Sequence, residues 1–248
     1  MVKMRMAEPK ILKNAIGSIV ELIEESAFRF TPKGVSMRAL DPSRIAMVDF
    51  ELPADAFDEY DVTDEMIIGV NLVDFEKALS RMKSGEELTL EISEDGSRLL
   101  LTFRGASTRK LGIPIINVEE EEVSEPKIQF TAEVGLTAEV LIDGLKDAEM
   151  VSESVLIMAK KGEFVISAEG KKGSSELRLK EGDAALTKLD VKQNTSAKFE
   201  LEYLLKMVKG ASSSDEIILK LGTDLPLEME MKLEKGKLRF FLAPLIEA

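Results

Sequence analysis

The sequence predicts an α+β fold made twice over: two domains of one architecture, each with antiparallel sheets and two short helices, joined by an acidic connector. Three observations carry this reading. The chain matches itself when shifted by 129 residues. Helical periodicity occupies only two short stretches per half, among many strand-like runs. The middle of the chain, Ile116-Asn117-Val118-Glu119-Glu120-Glu121-Glu122-Val123-Ser124-Glu125-Pro126-Lys127-Ile128, suits neither element, because four successive glutamates repel one another and Pro126 lacks a backbone donor.

The repeat shows in the apolar positions. Ile11-Leu12 falls on Val140-Leu141, and Val35-Ser36-Met37-Arg38-Ala39 on Phe164-Val165-Ile166-Ser167-Ala168. Val70-Asn71-Leu72 falls on Phe199-Glu200-Leu201, Lys77 on Lys206, and Leu88-Thr89-Leu90 on Ile217-Ile218-Leu219. Identity is low, but the register holds over most of each half without a gap, as in two diverged copies of one fold. The domains are expected at 1–116 and 128–248, with the connector at 117–127.

The first half opens with a strand, Val2 to Ala7. Pro9 sits where a first helical turn tolerates proline. From Lys10 to Ile23 the period is helical: Ile11, Leu12, Ala15, Ile16, Ile19, Leu22 and Ile23 share one face, and Lys10, Lys13, Asn14, Gly17 and Glu21 the other. A hairpin follows, Ala27 to Thr31 and Val35 to Leu40 around Pro32-Lys33-Gly34, where proline presets φ and glycine accepts positive φ. Ile45 to Leu52 and Met66 to Val70 are strands. Asn71 is placed to cap a helix from Leu72 to Met82, with Leu72, Phe75, Ala78, Leu79 and Met82 inward and Asp74, Lys77 and Arg81 opposite. Two strands around Asp95-Gly96 and a third, Thr108 to Ile116, close this half.

The second half repeats the order. A strand is expected from Ile128 to Val134, then a helix from Ala138 to Ala148 and a hairpin around Lys161-Gly162. The second helix, Leu201 to Lys209, turns Leu201, Leu204, Leu205 and Val208 inward. The closing strands are Ile217 to Leu221, Leu227 to Leu233 and Leu238 to Leu242. So few helices cannot cover both faces of so many strands, so the helices pack on one side. Each half also ends in a strand with no partner in this pattern, and such edges invite pairing with another chain. Edge of one half onto edge of the other is a head-to-tail contact, which closes into a ring if the rotation allows.

Composition bounds the function. The 248 residues contain no cysteine, which removes disulfides, thiolate metal sites and cysteine nucleophiles, and no histidine, the usual proton-transfer group and metal ligand near neutral pH. Carboxylate pairs such as Asp55/Asp58, or Glu119 to Glu122 with Mg²⁺, form no recognisable catalytic spacing, so no enzyme, cofactor or metal site is expected. No apolar run spans a bilayer and the N-terminal stretch is too polar for a signal peptide, so a cytoplasmic protein is expected. The net charge of −13 argues against nucleic-acid binding by the chain as a whole, but local placement decides. An acidic interaction scaffold or DNA mimic is the competing reading.

Four segments resemble the sliding clamp family, the proliferating cell nuclear antigens of archaea and eukaryotes, and archaeal members most of all. Leu40-Asp41-Pro42-Ser43-Arg44-Ile45 resembles the loop before the central strand of the first domain. Ile68-Gly69-Val70-Asn71-Leu72 resembles the strand-to-helix entry, and Leu221-Gly222-Thr223-Asp224-Leu225-Pro226-Leu227 a loop of the second domain. Leu242-Ala243-Pro244-Leu245-Ile246-Glu247 is similar to the C-terminal signature. The resemblance spans the chain. It implies a homotrimeric ring, with sheets outside and helices lining a hole, that encircles duplex DNA without reading sequence. It implies a processivity factor, associated with the nucleoid, that tethers DNA polymerase, clamp loader, flap endonuclease and ligase through short PIP-type peptides and performs no chemistry.

Within that frame, Lys10, Lys13 and Asn14, Lys77 and Arg81, and Lys206 and Lys209 are the expected DNA-facing residues, joined by Lys146 of the third helix. Long flexible lysines suit a loose contact without base readout. The third helix departs from the pattern, because Glu139, Asp143 and Asp147 form an acidic stripe. That stripe is expected near a subunit edge, meeting Arg81, Lys83 or Arg109 of a neighbour. The edge strands expected to join chains are Thr108 to Ile116, including Arg109, Lys110 and Leu111, and Ser174 to Lys180, including Ser175, Glu176, Leu177 and Arg178. Leu40, Arg44, Ile45, Val123, Pro126, Pro226, Ala243, Pro244, Leu245 and Ile246 are expected to form an apolar groove for the aliphatic and aromatic anchors of a partner peptide.

Overall fold

The structure, a computed structural model, describes residues 2–118, 123–213 and 215–246, so Glu119 to Glu122 of the connector and Glu247 of the C-terminal signature lie outside the described residues. The first half contains β1 (Val2–Met6), α1 (Lys10–Ile19), β2 (Glu25–Thr31), β3 (Gly34–Leu40), β4 (Ala46–Pro53), β5 (Glu59–Val62), β6 (Met66–Asn71), α2 (Leu72–Ser80), β7 (Glu87–Ile92), β8 (Arg98–Arg104) and β9 (Thr108–Ile116). The second contains β10 (Ala132–Thr137), α3 (Ala138–Glu149), β11 (Ser154–Lys160), β12 (Glu163–Gly170), β13 (Gly173–Lys180), β14 (Leu186–Val191), β15 (Thr195–Glu200), α4 (Leu201–Val208), β16 (Glu216–Leu221), β17 (Leu227–Lys232) and β18 (Lys237–Leu242). The chain forms two compact units. Ser43–Met47 belongs with the second, and Leu233–Leu238 with the first.

The repeat is written into the elements. Moved by 129 residues, β2, β6 and β7 land residue for residue on β11, β15 and β16. Strand order repeats as well. The first half runs β5-β1-β7-β8-β9 and on through β6-β2-β3-β4, and the second runs β14-β10-β16-β17-β18 and β15-β11-β12-β13. The sheets are antiparallel, and each buries one face. In the first unit β1 alternates Val2, Met4 and Met6 inward with Lys3 outward, while β7 and β8 bury Leu88, Leu90, Leu99, Leu101 and Phe103. α1 and α2 close this core with Leu12, Ala15, Ile16, Ile19, Leu72, Phe75 and Leu79. In the second unit α3 and α4 do the same with Leu141, Leu145, Leu201 and Leu204. Each fully buried aliphatic or aromatic side chain contributes about 1.5–3 kcal/mol.

Hydrogen-bond pairing overrides the local period at several boundaries. The helix expected to reach Ile23 stops at Ile19, where Leu22 and Ile23 N–H both donate to the Ile19 carbonyl at 3.0 Å. The chain turns there because Glu25 must pair with Asn71, yet Leu22 and Ile23 still reach the core. The helix expected to reach Met82 ends at Ser80, its last turn tightened by Arg81 N–H to Ala78 O and Met82 N–H to Leu79 O. The strand expected from Ile128 begins at Ala132, where both of its ladders start, to Val191 and to Leu221. On α4 it is Met207 that is fully buried, while Leu205 is half-buried. Among the described residues β18 has a neighbouring strand on each side, while β13, β14 and β15 end their sheets.

Asn71 caps α2 as expected, its Oδ1 accepting from Asp74 N–H at 3.0 Å. Gly34 is extended into positive φ at 147°, and a Cβ there would run into the Leu52 carbonyl. No helix among the described residues is long and apolar enough to cross a membrane.

β5, a strand the periodicity does not reveal, pairs with β1 and carries Tyr60. The Tyr60 hydroxyl donates to Thr31 O at 2.7 Å, and its ring tilts against Phe57. Burial pushes the phenol up to about 12, against the usual value of 10. A raised folded value means that the neutral phenol stabilises the fold fully below pH 10, and that this stability is lost as pH rises from 10 towards 12. Urea midpoints of wild type and Tyr60→Phe are therefore expected to converge across that window; a difference that stays constant with pH contradicts the assignment.

Candidate functional site

The exposed side of the helices carries the basic residues. On α1, Lys10 is exposed and Lys13 and Asn14 are half-buried, opposite Leu12, Ala15 and Ile16. α2 packs beside α1 and exposes Lys77, with Arg81 just beyond its end. Lys77 is loosely paired with Asp74, 3.9 Å away and one turn back. In the second unit α4 packs beside α3 and presents Lys206 and Lys209. Lys206 bonds to Glu202 at 2.6 Å and lies 5.6 Å from the Tyr203 ring centre. Such i, i+4 pairs on an exposed helix are worth only a few tenths of a kcal/mol, so they leave lysine available to another anion.

α3 is different. Glu139, Asp143, Lys146 and Asp147 are all exposed, three acids to one base. The buried Gly144, one residue from Asp143, lets α3 approach β13 closely, since a Cβ there would sit 2.6 Å from Leu177 Cδ2. The acidic helix thus lies against the strand at the edge of its sheet. β13 pairs with β12 alone among the described residues, from Glu163↔Lys180 to Gly170↔Gly173. Ser175 and Leu177 are half-buried, and Glu176 and Arg178 are exposed and bonded to each other at 3.1 Å.

The second open edge is β9. Among the described residues it pairs from Thr108 to Pro114 with β8 alone, and at Ile115 and Ile116 it also pairs with β6. Lys110 and Leu111 are exposed. Arg109 is engaged inside its own unit, a contact the sequence pattern does not disclose. Its Nη2 donates to Glu86 Oε2 at 2.6 Å and to Arg81 O at 2.9 Å, and its guanidinium lies 5.2 Å from the Phe103 ring centre. Glu86 also accepts from Lys83 N–H at 2.8 Å. Those bonds, the Lys83 one foremost, hold its carboxyl below the usual range although burial opposes them.

Of the residues expected in an apolar groove, the second unit brings several together. Ile45 is half-buried and Arg44 exposed, with Arg44 at a φ of 60°. The Ile45 carbonyl accepts from Ala243 N–H at 2.8 Å, which joins that loop to the C-terminal tail. Leu245 N–H donates to Lys198 O at 2.7 Å, so the tail lies along β15. In the first unit Ile116 pairs with Gly69, and the two pairs are related by the same 129-residue shift. Pro126, Pro226 and Pro244 are half-buried, Ala243 is exposed, and Leu245 and Ile246 are 37% and 76% exposed. A groove of about 710 Å³ is lined by Leu245, Ile246, Lys198, Leu156, Ser175 and Glu176 among others, so it carries residues from both the groove set and the joint set. Leu40 and Val123 are half-buried in the first unit, where Arg38 bonds to Val123 O at 3.2 Å and to Asp49 at 3.0 Å. In the second unit Arg239 fastens the following stretch through Glu125 at 2.7 Å while lying over Phe241. Arg38 and Arg239 escaped the sequence reading because nothing in a linear pattern marks an arginine as an anchor.

Comparison with known proteins gives the following. Residues 1–121 match the family described as proliferating cell nuclear antigen, N-terminal domain, and residues 125–246 match its C-terminal domain. DNA polymerase sliding clamp 1 of Thermococcus kodakarensis is 41% identical, over 96% of this chain and 96% of that protein. The DNA polymerase sliding clamp of Pyrococcus furiosus is 40% identical, over 94% and 93%. A crystal structure of PCNA from Thermococcus kodakaraensis superposes with a TM-score of 0.95 at 26% identity, covering 99% of this chain and 100% of that one. The proliferating cellular nuclear antigen of Entamoeba histolytica superposes with a TM-score of 0.92 at 24% identity, a likeness of fold.

The two arginine anchors can be tested without reference to function. Arg38→Met and Arg239→Met each release one described end of the glutamate-rich connector. A glutamyl endopeptidase is expected to cut both variants between the two units several-fold faster than wild type, with far-ultraviolet dichroism unchanged. Equal cleavage rates contradict the anchoring.

Proposed function

The chain belongs to the proliferating cell nuclear antigen family, and from that premise we propose that it works as a DNA polymerase sliding clamp, a non-catalytic processivity factor held on duplex DNA by enclosure. In this reading three chains form a ring, with sheets outside and the polar faces of the helices inside. The domains are taken as 1–116 and 128–248, joined by the connector at 117–127, and the protein acts in the cytoplasm on the nucleoid. The observation that carries the reading is the recurrence of basic residues on exposed helix sides in both units. A chain of net charge −13 places Lys10, Lys13, Lys77, Arg81, Lys206 and Lys209 at the exposed sides of equivalent helices in both units. Basic groups there meet phosphate from any sequence, while the acidic remainder keeps DNA off the exterior. Asn14 adds a neutral donor, and Lys146 is the basic contribution of α3.

Partners dock, in this proposal, on the groove formed by Leu40, Arg44, Ile45, Val123, Pro126, Pro226, Ala243, Pro244, Leu245 and Ile246. The exposure of Leu245 and Ile246 supports it, since apolar surface near open backbone is what a short peptide with aliphatic and aromatic anchors covers. Polymerase, clamp loader, flap endonuclease and ligase are the partners proposed. The joint between chains is proposed to pair β9 with β13, using Thr108, Arg109, Lys110 and Leu111 on one side and Ser175, Glu176, Leu177 and Arg178 on the other. The α3 stripe of Glu139, Asp143 and Asp147 then faces Arg81, Lys83 and Arg109 across it.

Primer extension on singly primed circular DNA, with the cognate loader and polymerase, tests the role. Wild type is expected to lengthen products, and a variant reversing Lys10, Lys13, Lys77, Lys206 and Lys209 to glutamate to do so much less, with the deficit greatest at low salt and narrowing as salt screens the charges. Stimulation that survives the reversal would favour an acidic scaffold that never holds DNA.

Docking is tested separately. Ile45→Arg, and a chain ending before Pro244, are each expected to bind a Gln-x-x-Leu-x-x-Phe-Phe peptide at least about tenfold more weakly, in line with losing a buried anchor contact. Unaltered affinity in both removes the groove assignment.

A further inference from the structure

The contact around Glu86 reaches beyond this account. Glu86 is 6% exposed, a level at which a carboxylate is rare unless paired. Its Oε2 is doubly engaged: Lys83 N–H and Arg109 Nη2 both bond to it, at 2.8 and 2.6 Å. Gly105, in the turn between β8 and β9, makes room for it, because a Cβ there would come within 2.8 Å of Glu86 Cγ. Arg109 in turn holds the Arg81 carbonyl at the end of α2. One buried carboxylate therefore ties together the last turn of α2, the loop at Lys83, the β8–β9 turn and the first residues of β9. Among the described residues Arg109 Nε is buried with no acceptor, so the guanidinium is fixed in place without being saturated.

We propose that Glu86 is the positioning residue of the joint between chains. By holding Arg109 and the Lys83 loop, it presents Arg81, Lys83 and Arg109 as a preformed basic cluster beside the open edge of β9, for the acidic stripe Glu139, Asp143 and Asp147 of a second copy. Without it, the Arg109 side chain and the backbone that carries Arg81 and Lys83 must be ordered at assembly, at a cost in conformational entropy. The inference rests on the reading of β9 and α3 as the two sides of the joint.

Sedimentation velocity over a dilution series reads the concentration at which trimer gives way to monomer. The proteins compared are wild type, E86Q, R109M, E86Q/R109M and the triple variant E139Q/D143N/D147N. E86Q is expected to raise the midpoint at least about tenfold, as for a buried charge pair broken on one side. R109M is expected to raise it at least as much, and the double variant no further than R109M, because Glu86 acts through Arg109. A merely structural role for Glu86 would instead lower the urea midpoint of the monomer and leave the assembly midpoint unmoved. Additivity, or an unmoved E86Q midpoint beside a raised midpoint for the triple variant, overturns the role of Glu86 and leaves the joint standing. A triple variant that assembles like wild type overturns the joint and this inference together.

Discussion

Backbone hydrogen bonds must be closed, and two of the places where the described residues leave them open organise the rest. β9 uses one edge from Thr108 to Pro114, and β13 uses one edge throughout, among the described residues. An open edge of this length is costly to leave as a template for any passing strand. Each strand belongs to a different copy of the repeat, so pairing one with the other across chains is heterologous, and rotation then decides between ring and filament. A duplicated domain that offers one such edge from each copy is a natural building block for a closed ring. The arrangement of helices follows from the same constraint. Sheets that bury one face need cover on that face only, and two amphipathic helices per copy supply it. The polar sides of those helices are then free for a role unconnected with the core.

Electrostatics separates that role from the rest of the surface. The strand faces that look away from the core carry interleaved pairs: Lys3 with Glu91 at 3.2 Å, Lys188 with Glu133 at 2.8 Å, Lys232 with Glu216 at 3.0 Å. Exposed pairs of this kind contribute little stability each, about 0–1 kcal/mol. Their effect is to use much of the basic charge of the sheets locally, which leaves the excess acid to set the sign of the remaining surface. The lysines on α1, α2 and α4 stand against that background. α3 is the exception in both sequence and structure: it has the stripe of acids and, through Gly144 and Leu177, the close approach to an open edge.

The repeat and its strands were legible because apolar residues recur at a fixed spacing, and three strands coincide with their partners under one shift. β5 was not, since the alternation in Glu59-Tyr60-Asp61-Val62 runs for only four residues and the strand gains its order from β1. Helix ends were misplaced because the periodicity of Leu22 and Ile23 records burial, which continues after the helical ladder has stopped. The basic helix faces could be located from sequence, as sidedness follows from the 3.6-residue period. Glu86, Arg38 and Arg239 could not, because each acts on a residue 23 to 114 positions away. Their charge looks like any other in a chain with 46 acidic and 33 basic residues.

Everything here turns on enclosure, as opposed to ordinary surface binding of DNA. The direct measurement is retention of the loaded protein on a nicked circular duplex at a salt concentration that strips surface-bound proteins, before and after one restriction cut. Enclosure predicts co-elution with the circle and release when the circle is linearised. Release from the intact circle at that salt, or retention on the linear product with unblocked ends, would contradict it.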